Sequence, residues 1–496
     1  MADGYARVSG KPGVCFVITG PGLTNIATPM GQALADSIPM LVISSINDTL
    51  STLQPRGMLH EMPDQLSFSQ QVSRFSQTIH SAEELADALA RAFGLFASAR
   101  PGPVHLQLPV GLLGSVANEA LTHLVHQTPT RPVASADSIA QAATAINLAK
   151  NPVIMTGGGA VDAGDAVRVF AEKIDSPVHM TINSRGLLSH THELSVPATC
   201  SLPSVRDAVN SADVVVALGT EFAATDYDQY KDDQFHIDGK LIRCDIDPLQ
   251  ISNNVIADIG LIGDVALTIG ALTPLVDKRD AGSGALRAAN TMKAATDELG
   301  SEMPRHLEIV EAIRDQVADC IFVGDSTQLI YSCNMIFNTE SPRRWFNSSV
   351  GFGTLGYALP AATGAAIASL GEAQAAGLND QKGAIQGKPV VCLIGDGGLQ
   401  FTLGELGALK DTGLPVAVVV WRNGGYREIK TSMENAGVSA VGVEFAVPDF
   451  LAVAQAYGLN AVRVNNETDL CSAINRSHEL GEAVLIEIDE AQIMQG

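Results

Sequence analysis

No apolar run in this chain of 496 residues approaches the ~18 that a membrane span needs, and no signal-peptide pattern opens it. Positive charge is scarce. Lysine and arginine number 31 against 54 aspartates and glutamates, a net charge of −23. That balance argues against nucleic acid and against an anionic membrane as partners. It leaves a phosphorylated cofactor open, because local dipoles and a metal decide that contact. No C-x-x-C spacing occurs. Seven scattered cysteines read as reduced, buried thiols, which places the protein in the cytoplasm. Charged residues make up 17% and hydrophobic ones 46%, which fits a soluble globular protein with large cores. The length suggests about three domains.

Alternating apolar runs and helical stretches argue for parallel α/β sheets in three regions. The first runs from Met1 to about Val125, with strands expected at Val14 to Ile18, Met40 to Ser44 and Val104 to Leu108. The second, about Thr130 to Leu275, carries Val153 to Met155, Val178 to Ile182, Val214 to Leu218 and Leu241 to Ile246. The third begins near Pro304 and runs to the end. Asp277 to Ser301 reads as a linker with a short helix. Lys11-Pro12-Gly13-Val14-Cys15 and Lys388-Pro389-Val390-Val391-Cys392 each precede a glycine turn, an echo that duplication leaves and chance also produces.

Gly395-Asp396-Gly397-Gly398 and Arg422-Asn423-Gly424-Gly425 follow the apolar runs Pro389 to Ile394 and Leu414 to Trp421. Between them Leu399 to Lys410 looks helical. This strand, turn, helix, strand order puts a carboxylate and an amide at neighbouring strand ends, the edge where open α/β sheets bind ligands. Glycine N–H groups and a helix N-terminus suit a diphosphate, and the two hard oxygens suit Mg²⁺. A plain tight turn is the alternative for Gly-Asp-Gly.

The 26 residues between Asp396 and Asn423 make the pair similar to the signature of thiamine diphosphate enzymes. The likeness runs along the whole chain to the acetolactate synthase-like family. It implies three doubly wound parallel-sheet domains: a pyrimidine-binding domain over 1–125, a central domain over 130–275 and a diphosphate-binding domain over 304–496. It implies Asp396, Asn423 and the Gly425 carbonyl as Mg²⁺ ligands, with Gly395, Gly397 and Gly398 around the diphosphate. Ser326 and Thr327, after the strand Cys320 to Val323, would add a phosphate contact; an ordinary helix cap by Asp325 or Ser326 is the alternative. Gly351-Phe352-Gly353-Thr354-Leu355-Gly356 resembles the family's G-x-G-T-[ML]-G. Leu355 would then bend the cofactor and the Gly353 carbonyl would take its amino group, unless Leu355 merely fills the core. Gly20-Pro21-Gly22-Leu23-Thr24-Asn25 resembles a segment that brings Asn25 to a partner chain's cofactor. His60 stands where synthases usually have Gln, and could shuttle protons or simply sit in a solvated loop.

Several positions depart from the pattern. Relatives carry a glutamate that activates the pyrimidine ring, six residues before the equivalent of Met1 in a motif whose tail is Met1-Ala2-Asp3-Gly4-Tyr5-Ala6-Arg7. The expectation is a truncated first domain and weak turnover. The synthases' Trp nine residues after the metal Asn is Ser432. Their flavin-holding Arg-Phe-Asp-Asp-Arg is replaced by Glu221-Phe222-Ala223-Ala224-Thr225-Asp226-Tyr227-Asp228. FAD is therefore not expected, although the turn Gly157-Gly158-Gly159 leaves it open. These features resemble synthase-like decarboxylases of cationic 2-oxo acids, such as 5-guanidino-2-oxopentanoate. Glu428 could pair with a guanidinium or be a solvated surface residue. Three readings follow: a 2-oxo acid decarboxylase, an acetolactate synthase, or an inactive homologue. A homodimer or homotetramer is implied.

Overall fold

Runs of Val, Ile and Leu bounded by glycine form strands buried on both faces, the pattern of parallel sheets flanked by helices. A computed structural model describes residues 1–47, 56–116, 129–227, 235–377 and 387–495. Val125 and Asp228 lie outside the described residues. The chain divides into two units, Met1–Arg131 and Pro132–Gly496.

Among the described residues the first unit has four parallel strands: β1 (Gly13–Val17), β2 (Met40–Ile46), β3 (Phe75–Thr78) and β4 (Pro103–Pro109), in the order β1-β2-β4-β3. The half-buried Phe-Ser-Gln-Thr of β3 lacks the apolar run that marks its neighbours. The Met1–Arg7 motif has a structural role here. Arg7 is buried between Asp3 at 2.6 Å and Asp36 at 2.5 Å, tying the helix Ala2–Ser9 to the end of the helix Pro21–Ala35. Gly20 needs its left-handed φ of 65°, and a Cβ there would stand 2.4 Å from the His60 carbonyl oxygen.

The second unit holds two six-stranded parallel sheets. The central one comprises β5 (Pro152–Thr156), β6 (Val178–Met180), β7 (Ser195–Val196), β8 (Val214–Leu218), β9 (Lys240–Asp245) and β10 (Ile259–Ile262), ordered β10-β9-β8-β5-β6-β7. The C-terminal one comprises β11 (Ile321–Gly324), β12 (Trp345–Asn347), β13 (Val390–Gly395), β14 (Val416–Arg422), β15 (Asn460–Val464) and β16 (Val484–Asp489), ordered β12-β11-β13-β14-β16-β15. The strand order of each sheet therefore reverses near its middle, between β5 and β8 and between β11 and β13. The two sheets are joined by polar contacts as well as packing. Buried Arg185 donates to the carbonyls of Phe337 and Asn334, both at 2.8 Å, and Asn338 accepts from Gly186 N at 2.7 Å.

Two expectations change. The stretch read as a linker with a short helix holds a longer, packed one of 15 residues, Ser283–Asp297, whose Ala288 and Ala295 are buried in the central core and whose Arg287 donates to the carbonyls of Pro152 and Asp175. Alanine supplies too little hydrophobicity to reveal such a packed face. The helix expected over Leu399 to Lys410 is two, Asp396–Phe401 and Glu405–Thr412.

Candidate active site

The strand register sets the site. Gly324 pairs with Leu393 and Gly395 with Trp421, so the turns after β11, β13 and β14 leave the sheet at one edge. They leave beside the β11/β13 reversal, where the chain departs to opposite sides and a crevice opens. A cleft of ≈ 290 Å³ lies there. Ser326, Thr327, Gly353, Leu355, Gly395, Asp396, Gly397, Gly398, Asn423, Gly425 and Glu428 all line it. Gln328, Tyr331, Ser349, Tyr426, Arg427 and Ile429 complete the wall. Of these, Tyr426, Arg427 and Ile429 flank Glu428 in the sequence; Gln328, Tyr331 and Ser349 carry no local signal beyond their nearness to the glycine turns.

Asp396 opens the helix Asp396–Phe401 and is almost wholly buried. Its Oδ2 accepts from Asn423 N at 3.1 Å and Gly424 N at 2.7 Å, so the two glycine turns are clamped together. Burial pushes its pKa up, and the N–H donors of Gly424, Asn423 and Gly397 pull it back. Among the described residues no ion pair neutralises it. A buried carboxylate held by main-chain dipoles, with a side-chain amide and a carbonyl nearby, has the donor chemistry of a hard cation. Elsewhere among the described residues no three His, Cys, Asp or Glu side chains gather to hold a metal.

The glycines are spent on close approach. A Cβ on Gly425, at φ 154°, would meet the Val443 carbonyl oxygen at 2.2 Å. A Cβ on Gly397 would meet the Tyr426 ring at 2.7 Å. A Cβ on Gly353, at φ 73°, would meet nothing within 4 Å, so this glycine answers to its left-handed backbone rather than to close approach. Leu355 is half-buried on the cleft wall rather than in the core, which disfavours the core-filling reading.

Asp325 does not cap the helix that follows it. Thr327 holds that N-cap position for the helix Gln328–Ile336, without a side-chain bond. The fully buried Asp325 carboxylate instead accepts from Ser326 N at 2.7 Å and Ala358 N at 3.4 Å, the latter opening the helix Ala358–Ala376. Burial raises its pKa to about 6 against those donors. It thereby ties the Ser326 turn to the end of the Gly351–Gly356 loop, a link no sequence-local rule reveals.

Asn25 and His60 belong to the Met1–Arg131 unit. Asn25 is exposed in the first turns of the helix Pro21–Ala35. His60 is half-buried at φ 61°. Its neighbour Glu61 folds back to accept from the N–H groups of Arg56, Gly57 and Met58. Ser432 is exposed on the helix Arg427–Asn435. No helix among the described residues is long and apolar enough to cross a membrane.

Three family descriptions match the chain in order. They are the N-terminal TPP binding domain of thiamine pyrophosphate enzymes over residues 1–68, the central domain over 139–272 and the C-terminal TPP binding domain over 325–488. A probable 2-ketoarginine decarboxylase, AruI, of Pseudomonas aeruginosa is 37% identical over 95% of this chain and 81% of its own length. An acetolactate synthase large subunit of Parasynechococcus marenigrum is 30% identical over 95% of this chain and 76% of its own. The acetolactate synthase isozyme 1 large subunit of Escherichia coli is 29% identical over 95% and 81%. The cleft falls within the last matched segment, and relatives covering nearly the whole chain are enzymes; the protein is accordingly a member of the thiamine pyrophosphate enzyme family.

Proposed function

We propose that this protein is a Mg²⁺- and thiamine diphosphate-dependent decarboxylase of a 2-oxo acid with a cationic tail, such as 5-guanidino-2-oxopentanoate. The observation that carries the reading is the convergence of Asp396, Asn423 and Gly425 with Ser326 and Thr327 on one cleft at the β11/β13 reversal. When bound, thiamine diphosphate supplies the nucleophilic carbon and electron sink that let a 2-oxo acid lose CO₂. In this reading Asp396, the Asn423 amide and the Gly425 carbonyl hold Mg²⁺. The N–H groups of Gly397 and Gly398, at the start of a helix, receive diphosphate oxygens together with the Ser326 and Thr327 hydroxyls. Leu355 presses on the cofactor from the wall, and the Gly353 carbonyl accepts from its amino group.

Glu428 is exposed at the cleft with its Oε2 held by Gln328 Nε2 at 3.0 Å. A carboxylate fixed there suits a guanidinium tail. The name of the 37% identical relative, a probable 2-ketoarginine decarboxylase, supports the same substrate class. Acetolactate synthesis is the second reading, favoured by the synthase relatives. We further propose a homodimer or homotetramer in which Asn25 serves a partner's cofactor and His60 moves protons, and a central domain without FAD. At the β5/β8 reversal a Cβ on Gly157 would stand 2.4 Å from the Gly219 carbonyl oxygen, so the two loops touch there.

Calorimetry with thiamine diphosphate should give saturable heat only when Mg²⁺ is present. Product analysis should then give aldehyde and CO₂ from 5-guanidino-2-oxopentanoate and no acetolactate from pyruvate. Acetolactate as the main product would select the second reading, and absent Mg²⁺-dependent binding would overturn both. A flavin absorption band in the purified protein would remove the FAD proposal.

A further inference from the structure

The helix Arg427–Asn435 carries Glu428 and Ile429 to the cleft, yet none of its residues is buried. Most protein helices are held by an apolar face; this one has polar attachments in its place. Lys430 pairs with Glu444 at 2.5 Å, but Glu444 is exposed and Lys430 only half-buried, and such a surface pair contributes little. Arg427 is different. Its Nη2 donates to both carboxylate oxygens of Glu302 at 2.8 Å, and its Nη1 pairs with Glu490. Glu490 is nearly buried, and its Oε2 accepts from Trp421 Nε1 at 2.8 Å. Trp421 is fully buried in β14, two residues before Asn423. Glu302 precedes the helix Met303–Gln316, whose His306 ring meets Trp421 edge-on at 5.4 Å.

We infer that Arg427 is a positioning residue: it latches the Glu428-bearing wall of the cleft to the sheet through Glu490 and Trp421, with Glu302 as the second anchor. The substrate consequence rests on the decarboxylase reading above; the mechanical consequence does not. Removing the guanidinium leaves Glu490 with its Trp421 bond and no cation, and leaves the helix on its exposed Lys430–Glu444 pair and the exposed Glu428–Gln328 hydrogen bond.

The test is hydrogen exchange on the ligand-free chain, followed by kinetics. In Arg427→Gln, amides of residues 427–435 should exchange about tenfold faster or more while those of β13 and β14 stay unchanged. Arg427→Lys, which can pair with one carboxylate at a time, should fall between, and Glu302→Gln should give a smaller local rise. In the kinetics, Arg427→Gln should raise KM for the cationic 2-oxo acid about tenfold with kcat and thiamine diphosphate affinity within about threefold. Unchanged exchange in 427–435, or a uniform rise across the chain, overturns the latch. Local loosening with no decarboxylation in either protein leaves the latch standing and counts against the function.

Discussion

In the central sheet the loops after β5 and β8 lean on each other. A Cβ on Gly157 would lie 2.4 Å from the Gly219 carbonyl oxygen, and one on Gly219 would lie 2.6 Å from the Gly159 carbonyl carbon. In the C-terminal sheet the loops after β11 and β13 meet through side-chain oxygens. A Cβ on Gly395 would stand 3.0 Å from Thr327 Oγ1, and one on Gly398 would stand 3.2 Å from the Asp325 carboxylate. Both are strand reversals of parallel six-stranded sheets in one unit. What lies opposite the missing Cβ separates them. Main chain against main chain closes a crevice with its own polar groups. Main chain against hydroxyl and carboxylate leaves N–H groups, an acid and an open wall beside a cleft.

The sharpest way to break this comparison is Gly219→Ala. Its φ is +58° and the new Cβ meets the Gly159–Ala160 backbone within 2.8 Å, so no rotamer change relieves it. Left-handed strain and overpacking together should lower the unfolding free energy by about 3 to 4 kcal/mol. Gly397→Ala meets side-chain rings, Tyr426 at 2.7 Å and Phe445 at 3.1 Å, which can shift, and should lose less. Urea unfolding of both variants checks this; equal losses would erase the distinction.

Acid should expose a second difference. His179, on β6, has an unpartnered Nδ1, and burial first, then Arg287, pushes its pKa down to about 3. His306 behind the cleft bonds Ser332 at 2.8 Å and is pushed to about 4, chiefly by burial. Both are held neutral in the fold. The unfolded chain takes up a proton near pH 6.5, so the stability each gives is complete above that pH. It is lost as pH falls toward 4 and 3. A shift from 6.5 to about 4 corresponds to roughly 3 kcal/mol. Replacing His179 by Gln should flatten the fall in stability between pH 6 and 4 more than replacing His306 does. An identical pH slope in wild type and both variants would show that neither ring is held neutral.

Asp396→Asn should separate binding from folding. The amide oxygen can still accept from the Asn423 and Gly424 N–H groups, while the buried charge disappears. Unfolding free energy should stay within about 1 kcal/mol of wild type, because the burial penalty on the charge is removed along with the charge-assisted bonds. Mg²⁺-dependent thiamine diphosphate affinity should fall about 100-fold, roughly 2.7 kcal/mol. A variant that binds normally would move the metal elsewhere.

The same contrast explains what could be read from the residues alone. The central strands β8, β13 and β14 are unbroken apolar runs, and their limits were legible to within about two residues. The edge strands of the two six-stranded sheets were not. β7 is buried but only two residues long, β10 ends on an exposed Ile262, and β15 exposes Asn460, Val462 and Arg463, so β7 is too short to read as a run and the other two lack the two-sided burial that writes one. At the site, Asp396 and Asn423 were visible because each follows its own strand and glycine turn. The links Asp325 to Ala358 and Arg427 to Glu490 join residues 33 and 63 positions apart. No local periodicity encodes such pairs. In Asp277 to Ser301 a short helix was legible, but the 15-residue length and packing of Ser283–Asp297 were not, because that packing relies on smallness rather than on hydrophobicity.

The smallest expected effect falls on Leu355. It is half-buried on the cleft wall and follows two residues after the open side of Gly353. Leu355→Ala removes apolar surface that is already partly wet, so the unfolding free energy should drop by only about 1 kcal/mol. A core leucine would lose about 2 to 5 kcal/mol on the same change. If Leu355 presses on a bound cofactor, the variant should lose kcat by about tenfold or more while keeping Mg²⁺-dependent binding within about threefold, because the contact matters most for the cofactor's shape during reaction. Circular dichroism melts and steady-state kinetics on one preparation decide between these. A large stability loss with intact kcat would return Leu355 to the core and leave the cleft without its wedge.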